Sequence, residues 1–146
     1  MTIRAKNNGH LAEDRAEVHL RDIYDFVQKS KYGTFFDFLV KKGTTDILIE
    51  VKWVECRYKS VNIYLKWKQA MRLFNAKDFL LYILTPKGNF FISPEKVLKY
   101  AHVHYNFLNP HEKNILIRAT LADEQFVVME PQKCLYCDGK LDIYLK

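Results

Sequence analysis

Two carboxylates and an ammonium, Asp37, Glu50 and Lys52, stand within residues 33–53, and groups of these types can hold a divalent cation beside a phosphate. Whether they meet depends on the chain between them. Two apolar runs, 34–40 and 46–53, flank Lys41-Lys42-Gly43-Thr44-Thr45, the pattern of a tight β-hairpin. Gly43-Thr44 suits a two-residue type II′ turn, with glycine at the first central position where φ is positive. That turn fixes the register and sets Asp37 directly opposite Glu50. Side chains alternate along a strand, so Asp37, Glu50 and Lys52 then share a face with Leu39 and Leu48. Phe36, Phe38, Ile49, Val51 and Trp53 take the other face.

The pairing carries an electrostatic cost. Cβ atoms directly opposed across a ladder lie about 5 Å apart, and like charges there destabilise the pair. At an effective dielectric near 20, two carboxylates ~4 Å apart repel by about 4 kcal/mol. A divalent cation between them reverses the sign, and Mg²⁺ is commonly held by one or two carboxylates in phosphoryl-transfer sites. The plainer alternative is a solvated hairpin face on which the three charges form weak surface ion pairs. Leu39 and Leu48 on that face argue against a fully wetted surface.

Asp37, followed after an interval by Glu50-Val51-Lys52, resembles the PD-(D/E)XK nuclease superfamily, in which an Asp on one strand faces Glu-x-Lys on the next. Within it the chain looks most like the archaeal Holliday junction resolvases, through Asp37-Phe38-Leu39-Val40 and Ile49-Glu50-Val51-Lys52, over roughly residues 11–100. Two features depart from the pattern. Phe36 stands where the superfamily often has Pro, and the segment before Asp37 is short for the additional strand that such resolvases carry. The resemblance implies an α/β fold, a restriction-endonuclease-like mixed sheet flanked by helices. It implies a Mg²⁺-dependent DNA endonuclease, with Mn²⁺ as a substitute. Asp37, Glu50 and the carbonyl of Val51 would hold the metal, and Lys52 would serve the reacting phosphate. A Glu on the first helix, Glu13 or its neighbour Glu17, would join the site. Branched DNA would be the substrate and a homodimer the working form, since two symmetric cuts need two sites.

The composition fits such a partner without demanding it. A net charge of +6 over 146 residues favours a polyanion, and 49% hydrophobic content with 14% aromatics supports a packed globule. One domain, residues 1–146, is expected, with a core at about 11–100 and a β-rich C-terminal extension at about 101–146. Three cysteines and the lack of an evident signal peptide point to a reducing, intracellular location, the cytoplasm. The longest apolar run, 79–84, is too short to span a bilayer, so no membrane association is expected.

The elements that must position the hairpin read as follows. Residues 1–9 form a mobile basic arm, and 11–27 an amphipathic helix with Ala16, Leu20, Ile23 and Val27 on its apolar stripe. Extending that stripe backwards reaches Glu13, which is equally a first-turn acid favoured by the helix dipole. Residues 62–75 are a strand running into a helix, with Leu65, Met71, Leu73 and Phe74 as core. Gln69 lies where relatives of the superfamily often place a polar accessory residue. Residues 77–85 are a buried strand, Pro86-Lys87-Gly88-Asn89 turns it into 90–92, and Ser93-Pro94-Glu95 starts a helix. Further on, Asn109-Pro110 opens a short helix, 114–121 and 125–130 pair, and Asp138-Gly139 is a type I′ hairpin signal.

The basic residues Arg57, Lys59, Lys66 and Lys68 are candidate phosphate contacts, with solvated surface as the alternative fate of each. Cys134 and Cys137 have the spacing of half a zinc site, but a structural site needs four ligands, so a redox pair or two ordinary cysteines remain alternatives. The five histidines show no ligand or triad spacing, and there is no Gly-rich phosphate loop. The competing functional class is a non-catalytic nucleic-acid-binding module on a nuclease fold.

Overall fold

A computed structural model describes residues 3–31, 34–56, 58–76, 78–105, 113–129 and 137–140, with backbone alone for 3–10, 105 and 137–140. Helix α1 (Ile3–Ile23) buries Ala12, Ala16 and Leu20, spaced by one helical turn. It begins where a mobile arm is expected, and it ends before Val27. Ile23 is 58% exposed, and Val27 lies on strand β1 (Phe26–Lys29), buried against the helix from the sheet side. The apolar spacing thus identifies Val27 as core but assigns it to the wrong element. The segment before Asp37, which had looked short for a further strand, thus holds one of four residues.

β2 (Phe38–Lys42) and β3 (Thr45–Trp53) form the expected hairpin. β4 (Ser60–Lys66) runs directly into α2 (Trp67–Asn75), and β5 (Phe79–Thr85) turns into β6 (Gly88–Ile92). α3 (Pro94–Tyr100) starts as its sequence demands: Ser93 caps it by accepting the Lys96 N–H at 3.3 Å, and Pro94 opens its first turn. Strands β7 (His102–Tyr105), β8 (Lys113–Ala122), β9 (Gln125–Met129) and β10 (Cys137–Lys140) follow. Asp138 and Gly139 lie inside β10, which pairs with β7 through an irregular register, so they do not form a hairpin turn there. The helix expected at Asn109-Pro110 lies outside the described residues.

The strands make two sheets. The first, in the order β1-β2-β3-β5-β6, is mixed: β3 and β5 are parallel and every other pair is antiparallel. A parallel pair requires a crossover, and β4 with α2 supplies it. The second sheet, in the order β10-β7-β8-β4 with β9 also on β8, is antiparallel throughout. It draws β4 from the middle of the chain and the rest from beyond residue 100.

Layering follows from which residues are apolar on which parity. Phe38, Val40, Ile49, Val51, Tyr82 and Leu84 face α1 and pack on Ala12, Ala16 and Leu20. Leu81 and Ile83 face the other way, into a larger core with Ile63, Leu65, Ile115 and Ile117 of the second sheet, Leu73 of α2 and Val97 of α3. The protein is therefore α/β with a mixed sheet covered by one helix on one face. The other face carries an antiparallel sheet with two short helices, and the β-rich stretch beyond residue 100 supplies most of that sheet.

Candidate active site

The β2–β3 ladder has the register the turn demands, from Phe38 opposite Ile49 to Lys42 opposite Thr45. Gly43 closes it with φ +63°, and an added Cβ there would meet nothing within 4 Å, so backbone conformation alone calls for glycine. The ladder stops one residue short of Asp37. Residues 34–37 are not strand, and Phe36 packs on the second-sheet side, where strict alternation had placed it on the α1 side. Asp37 is anchored instead by three hydrogen bonds, one of them from the Ser30 N–H to its carbonyl at 2.9 Å. Its N–H donates to the Ile49 carbonyl at 2.9 Å, and its Oδ2 accepts the Val51 N–H at 2.8 Å. The side chain has taken an acceptor position that a continuing strand would fill with a carbonyl.

Glu50 projects from the middle of β3, flanked by β2 and β5, on the parity opposite to Val51 and α1. It is only 6% exposed and is one of two buried polar or charged residues among those described. Lys52, next on the same face, places Nζ 3.6 Å from Glu50 Oε1 and keeps its own side chain 30% exposed. Gln69 enters from the first turn of α2, held by donation from Nε2 to the Phe35 carbonyl at 3.3 Å. Burial, and after it the negative charge of Asp37, push the Glu50 carboxyl up to about 8, against the pull of the Lys52 ammonium and a Gln69 hydrogen bond. Without a cation, burial and the neighbouring Asp37 thus favour the protonated form of Glu50.

Asp37, Glu50, Lys52 and Gln69 are thus brought together, and Val51 contributes its N–H to the brace on Asp37. Glu13 is not brought to them. It sits on α1, across the sheet, with Oε2 4.0 Å from Lys29 Nζ, and no three His, Cys, Asp or Glu side chains among the described residues cluster to hold a metal. Glu17 pairs with Arg21 on the solvent side of the same helix. The helical stripe that led to Glu13 faces α1's own core, and Glu50 belongs to the opposite core. Sequence reasoning missed the carbonyl of Phe35 as the group that orients Gln69, a contact between distant segments that leaves no local signal.

Of the candidate phosphate contacts, Lys59, Lys66 and Lys68 are exposed, and Arg57 lies outside the described residues. Cys56 is a free, half-buried thiol; Cys134 and the side chain of Cys137 lie outside the description. Among the described residues no helix is long and apolar enough to cross a membrane. No family model matches the chain, and no curated protein matches it in sequence.

Proposed function

We propose that this chain is a metal-dependent DNA endonuclease of restriction-endonuclease-like fold, structure-specific in the manner of Holliday junction resolvases. One observation carries the reading: a Glu buried at mid-strand, beside an Asp and within 3.6 Å of a Lys. A fold gains nothing from that arrangement, since an apolar residue at Glu50 would avoid the desolvation of a charge. The order of helix, three-stranded meander, crossover and parallel strand supports the same reading, because it sets Asp37, at the entry to β2, beside the Glu-x-Lys strand.

The donor set fits Mg²⁺ or Mn²⁺. Asp37 and Glu50 offer hard oxygens in a shielded place, and Glu50, unfavourable there as an anion, would be relieved by a cation. The Val51 carbonyl is the third candidate ligand. A bound ion would offset phosphate charge and acidify a water for attack on phosphorus. Lys52 has the exposure to reach a phosphate, so its ammonium stabilises the negative charge that grows on the phosphoryl oxygens. Gln69 fixes the Glu50 carboxyl, and the Val51 N–H fixes that of Asp37. Both act by restricting geometry before substrate arrives.

The alternative is a binding module without activity. It has one observation in its favour: Glu13 stays apart, leaving two carboxylates where the resemblance implies three. The test is cleavage of supercoiled plasmid and of a four-way junction with Mg²⁺, Mn²⁺ or EDTA. Metal-dependent cleavage by the parent is expected, together with loss of cleavage in Lys52→Ala at nearly unchanged DNA affinity, because affinity is spread over many basic residues. Loss of binding and cleavage in proportion would remove Lys52 from its catalytic role. Absence of cleavage under every metal condition would leave the binding module as the better reading.

A further inference from the structure

The second sheet has two unlike faces. Its inner face, with Ile63, Leu65, Ile115 and Ile117, closes the core. Its outer face takes the other parity: Asn62, Tyr64 and Lys66 from β4, His102 and His104 from β7, and Leu116 and Arg118 from β8, with the exposed Val127 and Met129 of β9 at one side. Although the chain has 17 acidic residues, no described side chain of this face is Asp or Glu. Tyr64 is 47% exposed, its ring meeting that of His104 at 5.8 Å in a T-shaped contact. Arg118 Nε and His102 Nε2 are shut away from solvent without a hydrogen-bond partner. Among the described residues, the face therefore carries positive charge with no Asp or Glu side chain on it, around a ring open to contact.

We propose that this outer face is a platform for single-stranded nucleic acid, with a base stacked on Tyr64 and neighbouring phosphates set against Lys66 and Arg118. Aromatic rings on a sheet, flanked by cations, bind unpaired strands with little sequence preference, because every base has a π-face and every nucleotide a phosphate. A duplex offers no free base faces to such a ring. A second copy of the chain, docked by this same face, would set like charges against each other. The platform also adjoins the candidate active site. Lys66 is the residue from which α2 starts, and Gln69 in the first turn of α2 reaches Glu50. An unpaired strand leaving the site has a short path onto the sheet. The inference does not require the site to be catalytic, since it concerns a different surface.

The test is fluorescence anisotropy with short labelled oligothymidylate and oligouridylate, on the full chain in EDTA. Tyr64→Ala should weaken binding by about fivefold or more, and Tyr64→Phe, which keeps a stacking ring, should restore it. Lys66→Glu should weaken binding and flatten its salt dependence. It should not disturb the fold, because Lys66 makes no side-chain capping bond, and thermal melts of each variant check this. Preference for one of the two oligomers distinguishes DNA from RNA as the ligand. Unchanged binding in Tyr64→Ala, no binding by the parent, or self-association that Tyr64→Ala abolishes would each overturn the platform. Retained oligonucleotide binding with no metal-dependent cleavage would overturn the nuclease reading alone.

Discussion

A carboxyl that is 6% exposed and faces another carboxylate holds its proton more tightly in the folded chain than in the unfolded one. For Glu50 the ordinary value is 4.5 and the folded value about 8. Between these the native state binds the extra proton, so stability in EDTA falls as pH rises through that window, by something on the order of a few kcal/mol. Below 4.5 this contribution is fully present, and above about 8 it is lost. Glu50→Gln, which cannot ionise, should flatten that slope and raise the melting temperature at pH 8. Urea unfolding across the window, in parent and variant, measures both. Divalent metal should raise the melting temperature of the parent, because it binds the native pair alone, and should leave Glu50→Gln unmoved. A parent that melts identically with Mg²⁺ and with EDTA would count against any metal site here. Glu50 and Lys52 were legible in the sequence because a single turn, Gly43-Thr44, sets the β2–β3 register; the break that leaves Asp37 off the ladder was not. Nor was the elevated Glu50, because the burial that causes it comes from β5 and α2, remote in the chain.

At the scale of elements, the sequence reports strongly where one local rule suffices and poorly where two compete. The β2–β3 register, the Ser93 cap and the β4–α2 junction each rest on one such rule, and each forms as expected. The end of α1 does not, because a helical spacing of apolar residues runs on by chance into a strand that needs the same core. Asp138-Gly139 does not either, because pairing with β7 outweighs a turn preference. β7 itself is only His102–Tyr105, too short for alternation to declare it. The turn between β8 and β9 shows the converse, structure that the sequence supports weakly. Asp123 and Glu124 both adopt positive φ, 49° and 68°, as a type I′ turn requires, with no glycine at either position. A left-handed conformation costs an L-residue roughly 1–2 kcal/mol, against which added glycine entropy offsets part of any gain. Glu124→Gly should therefore stabilise the protein by about 1 kcal/mol and raise its melting temperature by a few degrees. Calorimetry on the variant checks it; an unchanged or lower midpoint would mean that the turn carries no such strain.

The molecule as a whole carries +6 of net charge, and the candidate phosphate contacts Lys59, Lys66 and Lys68, all exposed, lie on a turn, at a strand end and on a helix. Dispersed cations neutralise phosphates along a path, and phosphate contacts set position without reading sequence. Reading bases in the major groove takes a helix or ribbon free to enter it. Here α1 is packed along the first sheet through Ala12, Ala16 and Leu20, and α2 and α3 are short and packed into the larger core. Each of the three is packed on a sheet along one face. Under the proposed function, recognition of duplex arms would rest on the path of the backbone, in which a four-way junction differs from linear duplex. The expected outcome is a preference for junction over linear duplex of the same arm sequences, with little dependence on those sequences and a steep loss of affinity with salt. The measurement is competition in Mg²⁺-free buffer, with a labelled four-way junction challenged by unlabelled linear duplex. A preference for the junction means that equal concentrations of duplex displace little of it. If duplex displaces the junction as well as unlabelled junction does, backbone path is not what the surface reads, and a nuclease acting generally on duplex becomes the better description.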